Sequence, residues 1–152
     1  MMPIQFNNIF LNSFETYKVF DNLLVEEADP KGAPKTIWQI LNHLIAWQKY
    51  QLEMLKGGDQ LNINEQDTWI AEEHPASQGE LENAVAVFYS LIDEVKAEIK
   101  AFETEHSNLN QKLTIVQQLS IHLSFHVGEV VLMRRMAGTY PMPHQMSAFL
   151  AD

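Results

Sequence analysis

The sequence contains no cysteine, and this one absence excludes four kinds of chemistry. Disulfide bonds, thiolate metal sites, a cysteine nucleophile and a protein-borne thiol redox couple all require that side chain. The six histidines are therefore the most versatile groups that remain for a metal site or a catalytic site.

Basic residues are also scarce, because ten Lys and Arg stand against twenty Asp and Glu, for a formal net charge of -10. Neutralising nucleic-acid phosphates requires clustered Lys and Arg, so we expect no nucleic-acid partner. No run approaches the roughly 20 apolar residues of a membrane span, and the first residues lack a basic segment. We therefore expect no membrane anchor, no cleaved signal peptide and a cytoplasmic location.

The length of 152 residues and the 46% hydrophobic content predict one folded domain over residues 1–152. Apolar residues follow the helical period almost throughout, which predicts an all-α fold, a four-helix bundle. The first helix is predicted from about Ile4 to Glu27, where aromatic residues recur every three or four positions. Residues 29–34, with two prolines and a glycine, then end it.

Capping boxes predict where the other three helices begin. Three such pairs are present: Thr36 with Gln39, Ser77 with Glu80, and Thr114 with Gln117. Gly57 and Gly58 end the second helix, and about Ala137 ends the fourth, before Gly138. The long connection between the second and third main helices predicts a short helical turn inside it. Two prolines after Gly138 predict a mostly irregular tail with at most one short helical turn.

Three histidines interrupt the apolar stripes of the predicted helices. His122 and His126 lie four residues apart on the fourth helix, which places both imidazoles on one face. His43 interrupts the stripe of the second helix in the same way. Either the three share a divalent metal ion, or each is a core histidine bonded to backbone carbonyls or water, and the stripes alone leave both readings open. Three imidazole ligands would leave one coordination position open, as in catalytic zinc sites.

Two further sets of residues lie near this candidate site. Glu129 falls about 20° from His122 and about 60° from His126 on the helical wheel. It is a candidate fourth ligand, a partner that orients an imidazole, or a general base, and the plain alternative is a carboxylate at the pocket mouth. Trp47 and Tyr50, one and two turns beyond His43, are candidate pocket residues, although aromatics at helical spacing more often belong to the core.

Residues 38–47, WQILNHLIAW, and residues 122–129, HLSFHVGE, carry a resemblance to a known family. They resemble the DinB-like (DinB/YfiT) superfamily of bacterial metal-binding four-helix bundles, and the order of helices agrees over nearly the whole chain. The resemblance implies that the metal ligands are His43, His122 and His126. Many members have Gln where this chain has Glu129, so the resemblance implies less about that position.

The members that this chain resembles bind zinc, nickel or similar divalent ions, and many are homodimers. Their characterised enzymes use a low-molecular-weight thiol, so the resemblance implies a metal-dependent thiol S-transferase that acts on a small-molecule substrate. Since the chain has no cysteine, that thiol must come from outside the protein. Two alternatives stay open, which are a metal-dependent hydrolase with Glu129 as base and a non-enzymatic metal-binding stress-response protein.

Overall fold

A computed structural model describes residues 4–28, 32–59 and 62–152 of the chain. Residues 1–3, where the expected lack of a signal peptide begins, and residues 29–31, inside the predicted break, lie outside this description. The α-helices are α1 (Phe6–Ile9), α2 (Ile37–Leu55), α3 (Gln78–Lys100), α4 (Leu109–Met136) and α5 (Met146–Ala151). The described residues contain no strand, which confirms the predicted all-α bundle.

Helix α2 is the central element, because it packs against both α3 and α4. Thr36 Oγ1 accepts a hydrogen bond from Gln39 N over 3.1 Å, and Gln39 Oε1 accepts one from Thr36 N over 3.2 Å. This reciprocal pair is the predicted capping box. At the other end Gly57 has a φ of 89°, a left-handed conformation that terminates the helix, as predicted.

The core lies between these three helices and a folded-back N-terminal segment. Its fully buried large side chains come from all four parts of the chain: Val19, Phe20, Ile37, Ile40, Leu41, Leu44, Leu55, Leu81, Phe88, Val95 and Val116. Phe20 and Phe88 meet edge to face, with ring centroids 4.9 Å apart. The N-terminal segment therefore takes the fourth side of the core without forming a long helix.

The prediction of a helix over residues 4–27 is wrong. Only α1 and a 3₁₀ turn at Val25–Glu27 are helical there, and Tyr17, Lys18 and Asn22 have φ angles of 52°, 53° and 53°. Residues other than glycine rarely adopt that left-handed backbone conformation, and it cannot continue a right-handed helix. The aromatic spacing nevertheless reflects burial, since Phe14 and Phe20 are 3% and 1% exposed.

Distant side chains hold this N-terminal segment in its irregular path. Arg134 Nη1 donates to the carbonyl oxygens of Val19 and Asp21 over 2.8 and 3.1 Å, and Tyr140 Oη donates to that of Tyr17 over 2.5 Å. A helix would need those carbonyls for its own hydrogen bonds. The end of α4 and the tail satisfy them instead, which the local spacing of aromatic residues cannot indicate.

Two predicted capping boxes differ in the structure. Ser77 Oγ does accept from Glu80 N over 3.1 Å, but the Glu80 carboxylate accepts from the amide of Ala76 rather than that of Ser77. The predicted start of the fourth helix at Thr114 is wrong, because α4 begins at Leu109. Thr114 lies inside the helix, and its hydroxyl donates to the carbonyl of Asn110 over 2.9 Å.

In the described parts of the connections and the tail there are three short 3₁₀ turns, at Val25–Glu27, Glu65–Thr68 and Pro143–Gln145. The second of them is the helical turn predicted inside the long connection. The tail is more ordered than predicted, since the third turn leads directly into α5 and Lys18 Nζ donates to the Phe149 carbonyl over 2.9 Å. Among the described helices, none has the length and apolar character needed to cross a membrane.

Candidate metal centre

The fold brings His43, His122 and His126 together from two helices. His43 lies on α2 near the start of that helix, and the other two lie one turn apart on α4. One ring nitrogen of each histidine lies within 4.8 Å of the corresponding nitrogens of the other two. His43 Nε2 and His122 Nε2 are 3.0 Å apart. Three imidazoles at such distances are able to share one metal ion.

Thr68, in the 3₁₀ turn of the long connection, determines which nitrogen of His43 faces the cluster. Its hydroxyl donates to the carbonyl of Glu65 over 2.5 Å and lies 2.7 Å from His43 Nδ1. Because the hydroxyl proton is already used, the oxygen accepts, and Nδ1 carries the ring proton. Nε2 of His43 then presents its lone pair toward the other two histidines.

Glu129 acts on His126 in the same way. Its Oε2 accepts a hydrogen bond from His126 Nδ1 over 2.5 Å, and the carboxylate side chain is 44% exposed whereas the imidazole is 8% exposed. The bond leaves Nε2 of His126 as the nitrogen with the lone pair. Such outer partners orient metal-binding imidazoles and make them more basic. Of the roles that the sequence left open for Glu129, the structure shows the orienting contact.

The surroundings of the cluster keep two of its imidazoles, those of His43 and His122, uncharged at neutral pH. Burial, and then the proximity of His122 and His126, lower the pKa of His43 to about 3. Burial, and then the proximity of His126, lower the pKa of His122 to about 4. Neutral imidazole is the form that binds metal, so these histidines carry lone pairs at neutral pH without first losing a proton.

Trp69 covers one face of the cluster. Its ring stacks on that of His43 with centroids 3.8 Å apart and planes 7° from parallel. Trp47 meets the cluster from its own position on α2, with its ring 5.8 Å from that of His122. Thr68 and Trp69 are thus two neighbouring residues that position His43. Sequence reasoning missed Thr68, and the signal that could have pointed to it was the unusual length of the connection that carries it.

A cavity of about 460 Å³ opens beside the histidines. It is lined by Ala33, Pro34, Lys35, Ile40, Glu65, Trp69, His122, Phe125, His126, Glu129, Leu132 and Met133. The walls are mainly apolar, with charged groups from Lys35, Glu65 and Glu129. Trp47 and Tyr50, the pocket candidates from the sequence, are not among the lining residues. The aromatic walls come instead from Trp69 and Phe125.

The other three histidines lie apart from this cluster. His74 and His144 are exposed, and His106 is half-buried in the connection between α3 and α4, where its Nε2 lies 3.8 Å from a Glu103 carboxylate oxygen. Arg134 also lies away from the cluster, and its side chain is 4% exposed. It donates to three backbone carbonyls, those of Val19, Asp21 and Thr139.

Comparison with known proteins adds one match. A family model described as the DinB superfamily matches residues 15–133, a range that includes all three histidines, Thr68 and Glu129. No curated protein and no solved structure matches the chain. The geometry of this chain shows the three-histidine cluster and its cavity, and the family match covers the part of the chain that forms them.

Proposed function

The chain belongs to the DinB superfamily, and from this membership and its three-histidine cluster we propose that it binds one divalent metal ion through His43, His122 and His126. One observation carries the proposal. Thr68 and Glu129 each hold the outer Nδ1 of a histidine, so that the Nε2 lone pairs of His43 and His126 are left for a shared ligand. A histidine that is only part of the core does not need its Nε2 lone pair directed toward other histidines, because hydrogen bonds to nearby backbone groups satisfy its ring nitrogens.

The three imidazole ligands limit which metal ions suit the site. Three neutral imidazoles suit zinc, nickel and similar borderline ions better than magnesium or calcium, which prefer oxygen ligands. The described residues place no fourth His, Asp or Glu in the cluster. When bound, such an ion lowers the pKa of a water or thiol that occupies the remaining position.

We propose further that the site serves a thiol S-transferase, with a low-molecular-weight thiol as cosubstrate. The chain has no cysteine, so the nucleophilic sulfur must be brought in by a second small molecule. The cavity of about 460 Å³ falls within the range of small-molecule sites. Trp69, Phe125 and Leu132 supply apolar walls for an electrophilic substrate, and Lys35 supplies one cation.

Glu129 is the proposed base. Its carboxylate lines the cavity, and Oε2 already accepts a hydrogen bond from His126 Nδ1. The second carboxylate oxygen is the one that would accept a proton from a thiol or a water as the nucleophile forms. This same position makes a metal-dependent hydrolase the second candidate, with water in place of the thiol. The open cavity supports an enzyme more than a closed, non-enzymatic metal site.

The composition supports a small-molecule substrate in the cytoplasm. A net charge of -10 disfavours a nucleic-acid partner, since phosphate groups would be repelled. The dependence on an external thiol, together with the absence of cysteine, suits a reducing compartment.

Metal analysis of protein purified without an affinity tag tests the binding proposal. We expect about one metal ion per chain in the wild type and a loss to below about a tenth of that in His122→Ala. His144→Ala is the matched control, because it removes an exposed histidine outside the cluster. Full metal content in His122→Ala would overturn the three-histidine site. Thiol-consumption assays across electrophiles then separate the transferase, which requires a thiol, from the hydrolase, which turns over without one.

A further inference from the structure

A second cavity, which we call the outer cavity, adjoins the one beside the histidines. It has a volume of about 460 Å³ and is lined by Lys35, Glu65, Gln66 and Trp69. Three of these residues, Lys35, Glu65 and Trp69, also line the cavity beside the histidines, so the two spaces meet along them. The walls beside the histidines are mainly apolar, whereas three of the four residues around the outer cavity have charged or amide side chains.

Lys35 is a half-buried cation that has no carboxylate partner. Its Nζ lies 5.1 Å from the centroid of the Trp69 ring. Among the described residues it forms no ion pair and no hydrogen bond, although the chain has twice as many Asp and Glu as Lys and Arg. The face of an indole attracts an ammonium group but leaves its three N–H donors unused. Lys35 is therefore able to bind an anionic group of a ligand.

Glu65 supplies the opposite charge where the two cavities meet. In the part of the chain that the structure describes, its carboxylate accepts no hydrogen bond and forms no ion pair, with Lys35 or with any other cation. Gln66 lies beside it and adds a side-chain amide, which is able both to donate and to accept. A cation and a carboxylate that line one space without pairing leave both charges for a ligand.

Two contacts hold these charged residues on the same framework as the histidine cluster. Gln39 Nε2 donates to the Ile70 carbonyl over 3.2 Å, which ties the start of α2, just after Lys35, to the long connection. The Thr68 hydroxyl donates to the Glu65 carbonyl over 2.5 Å, and the same hydroxyl contacts the cluster histidine of α2. The backbones that carry both charges are thus fixed before a ligand binds, which reduces the cost of ordering them.

From these observations we propose that the outer cavity binds an α-amino carboxylate, a group with an ammonium and a carboxylate on one carbon atom. The carboxylate binds Lys35 and the ammonium binds Glu65. The rest of the ligand extends past Trp69 into the apolar cavity beside the histidines. Binding of this group requires no metal ion, but its place in a substrate rests on the proposed function.

Charge favours a zwitterion over a simple anion or a simple amine. Among the described residues that line the two cavities, Lys35 is the one Lys or Arg, whereas Glu65 and Glu129 are both carboxylates. A simple carboxylate would be attracted by one of these groups and repelled by two, and a simple amine would be repelled by Lys35. A zwitterion offers each charged side chain of the outer cavity a group of the opposite sign.

Three probes with matched carbon skeletons test this charge pairing. L-norleucine carries both groups, hexanoate only the carboxylate and pentylamine only the ammonium. Each is titrated into protein treated with a chelator, since an amino carboxylate also binds metal ions directly, and tryptophan fluorescence reports on Trp69 in the wall. We expect L-norleucine to bind at least about tenfold more tightly than either other probe. Equal binding of hexanoate or pentylamine, or no binding of L-norleucine, would overturn the proposal.

Matched variants assign each charge to its side chain. Lys35→Gln should weaken L-norleucine about tenfold without weakening pentylamine, and Glu65→Gln should weaken it about tenfold without weakening hexanoate. Lys49→Gln and Glu72→Gln are the controls, because both residues are exposed and neither lines the two cavities. Losses of the same size in the controls would contradict the assignment. The comparison of probes on the wild type needs no variant, so it stands even if a variant fails to fold.

Thiol-consumption assays on the metal-loaded protein identify which small molecule carries the group. L-cysteine, cysteamine and 3-mercaptopropionate are thiols with both charges, the ammonium alone and the carboxylate alone. If the thiol carries the group, kcat/KM should be highest for L-cysteine, and Lys35→Gln should lower that value but not the value for cysteamine. If the electrophile carries it, the three thiols should be equivalent, and an amino-acid electrophile should be preferred over its deaminated analogue.

These results separate the two proposals. A preference for cysteamine or 3-mercaptopropionate over L-cysteine would contradict the proposed ligand class. Absence of turnover with every thiol would count against the transferase, whereas the probe titrations on metal-free protein would still decide whether the outer cavity binds an α-amino carboxylate.

Discussion

His126 Nδ1 donates to Glu129 Oε2 over 2.5 Å, within a single turn of α4. The imidazole is buried and the carboxylate is 44% exposed, so the pair connects the histidine cluster with the cavity surface. The bond fixes the ring proton on Nδ1 and leaves Nε2 for the cluster. The Glu129 carboxylate thereby orients His126, a proposed metal ligand, and also lines the proposed substrate cavity.

Replacing Glu129 tests its role in orienting His126. Glu129→Gln keeps an oxygen that accepts from His126 Nδ1, so metal affinity should fall by less than about tenfold. Glu129→Ala removes the acceptor, and the expected loss is about 10- to 100-fold. Competition with a chromophoric chelator measures both affinities. Equal affinity in wild type and Glu129→Ala would show that the contact does not support metal binding.

Thr68→Val removes the hydroxyl that accepts from His43 Nδ1 while keeping the side-chain shape. His43 is 1% exposed, so its ring proton would lose a buried partner, at a cost of about 1 to 3 kcal/mol. Chemical denaturation of the metal-free protein gives the free energy of unfolding. Thr68→Ser restores the hydroxyl and should recover most of the loss. A Ser variant as unstable as the Val variant would assign the effect to packing instead.

The metal-free protein should lose stability as the pH falls from about 6.5 toward 4. Unfolded histidines take up a proton near pH 6.5, whereas burial lowers the pKa of His43 to about 3 and that of His122 to about 4. Across this window the unfolded state binds more protons than the folded state, so the free energy of unfolding decreases with falling pH. Above pH 6.5 the contribution is complete.

Thermal melts at stepped pH values measure this dependence. The double variant His43→Leu, His122→Leu lacks both groups and should show a shallower fall in melting temperature over the same window. An unchanged slope in the double variant would assign the acid sensitivity to other residues.

Arg134→Leu should destabilise the fold by about 3 kcal/mol or more. It leaves three backbone carbonyls, those of Val19, Asp21 and Thr139, without their charged donor. Arg135→Leu is the matched control, because Arg135 donates only from Nε to the Pro141 carbonyl in the described structure, and about 1 kcal/mol is expected. Urea denaturation compares the two variants. Similar losses would contradict the assignment of Arg134 as the tie between α4 and the N-terminal segment.

Where helices begin and end was predictable when the determining contacts were local. The capping box of Thr36 and Gln39 joins residues three apart, and Gly57 ends α2 through its own backbone conformation. Thr114 shows the limit of that reasoning, since the same residue pattern lies inside α4. A threonine that follows helical residues bonds its hydroxyl to a carbonyl of the preceding turn, whereas a threonine at a helix start caps the amides that follow it. Whether Thr114 caps a helix or lies inside one is therefore determined by the residues before it, which are helical here from Leu109 onward.

The N-terminal segment shows a different limit. Its aromatic residues recur at helical intervals because they face one core, and residues 4–27 were therefore predicted as one helix. The segment turns instead at Tyr17, Lys18 and Asn22, and its carbonyls are bonded by Arg134 and Tyr140, more than 100 residues away. The spacing of apolar residues indicates which side chains are buried. It does not indicate which groups donate hydrogen bonds to the backbone carbonyls.

By itself, the sequence determined the donor types, the pairing of His122 with His126 and the external origin of any thiol. Those properties follow from residue identity and from the 3.6-residue period of one helix. Tertiary structure alone decided that Thr68 and Trp69 meet His43, that Glu129 holds His126, and that Phe125 and Leu132 stay exposed beside the cavity. Contacts between elements depend on the path of the long connection and on how α2 packs against α4, and no local pattern specifies either of these.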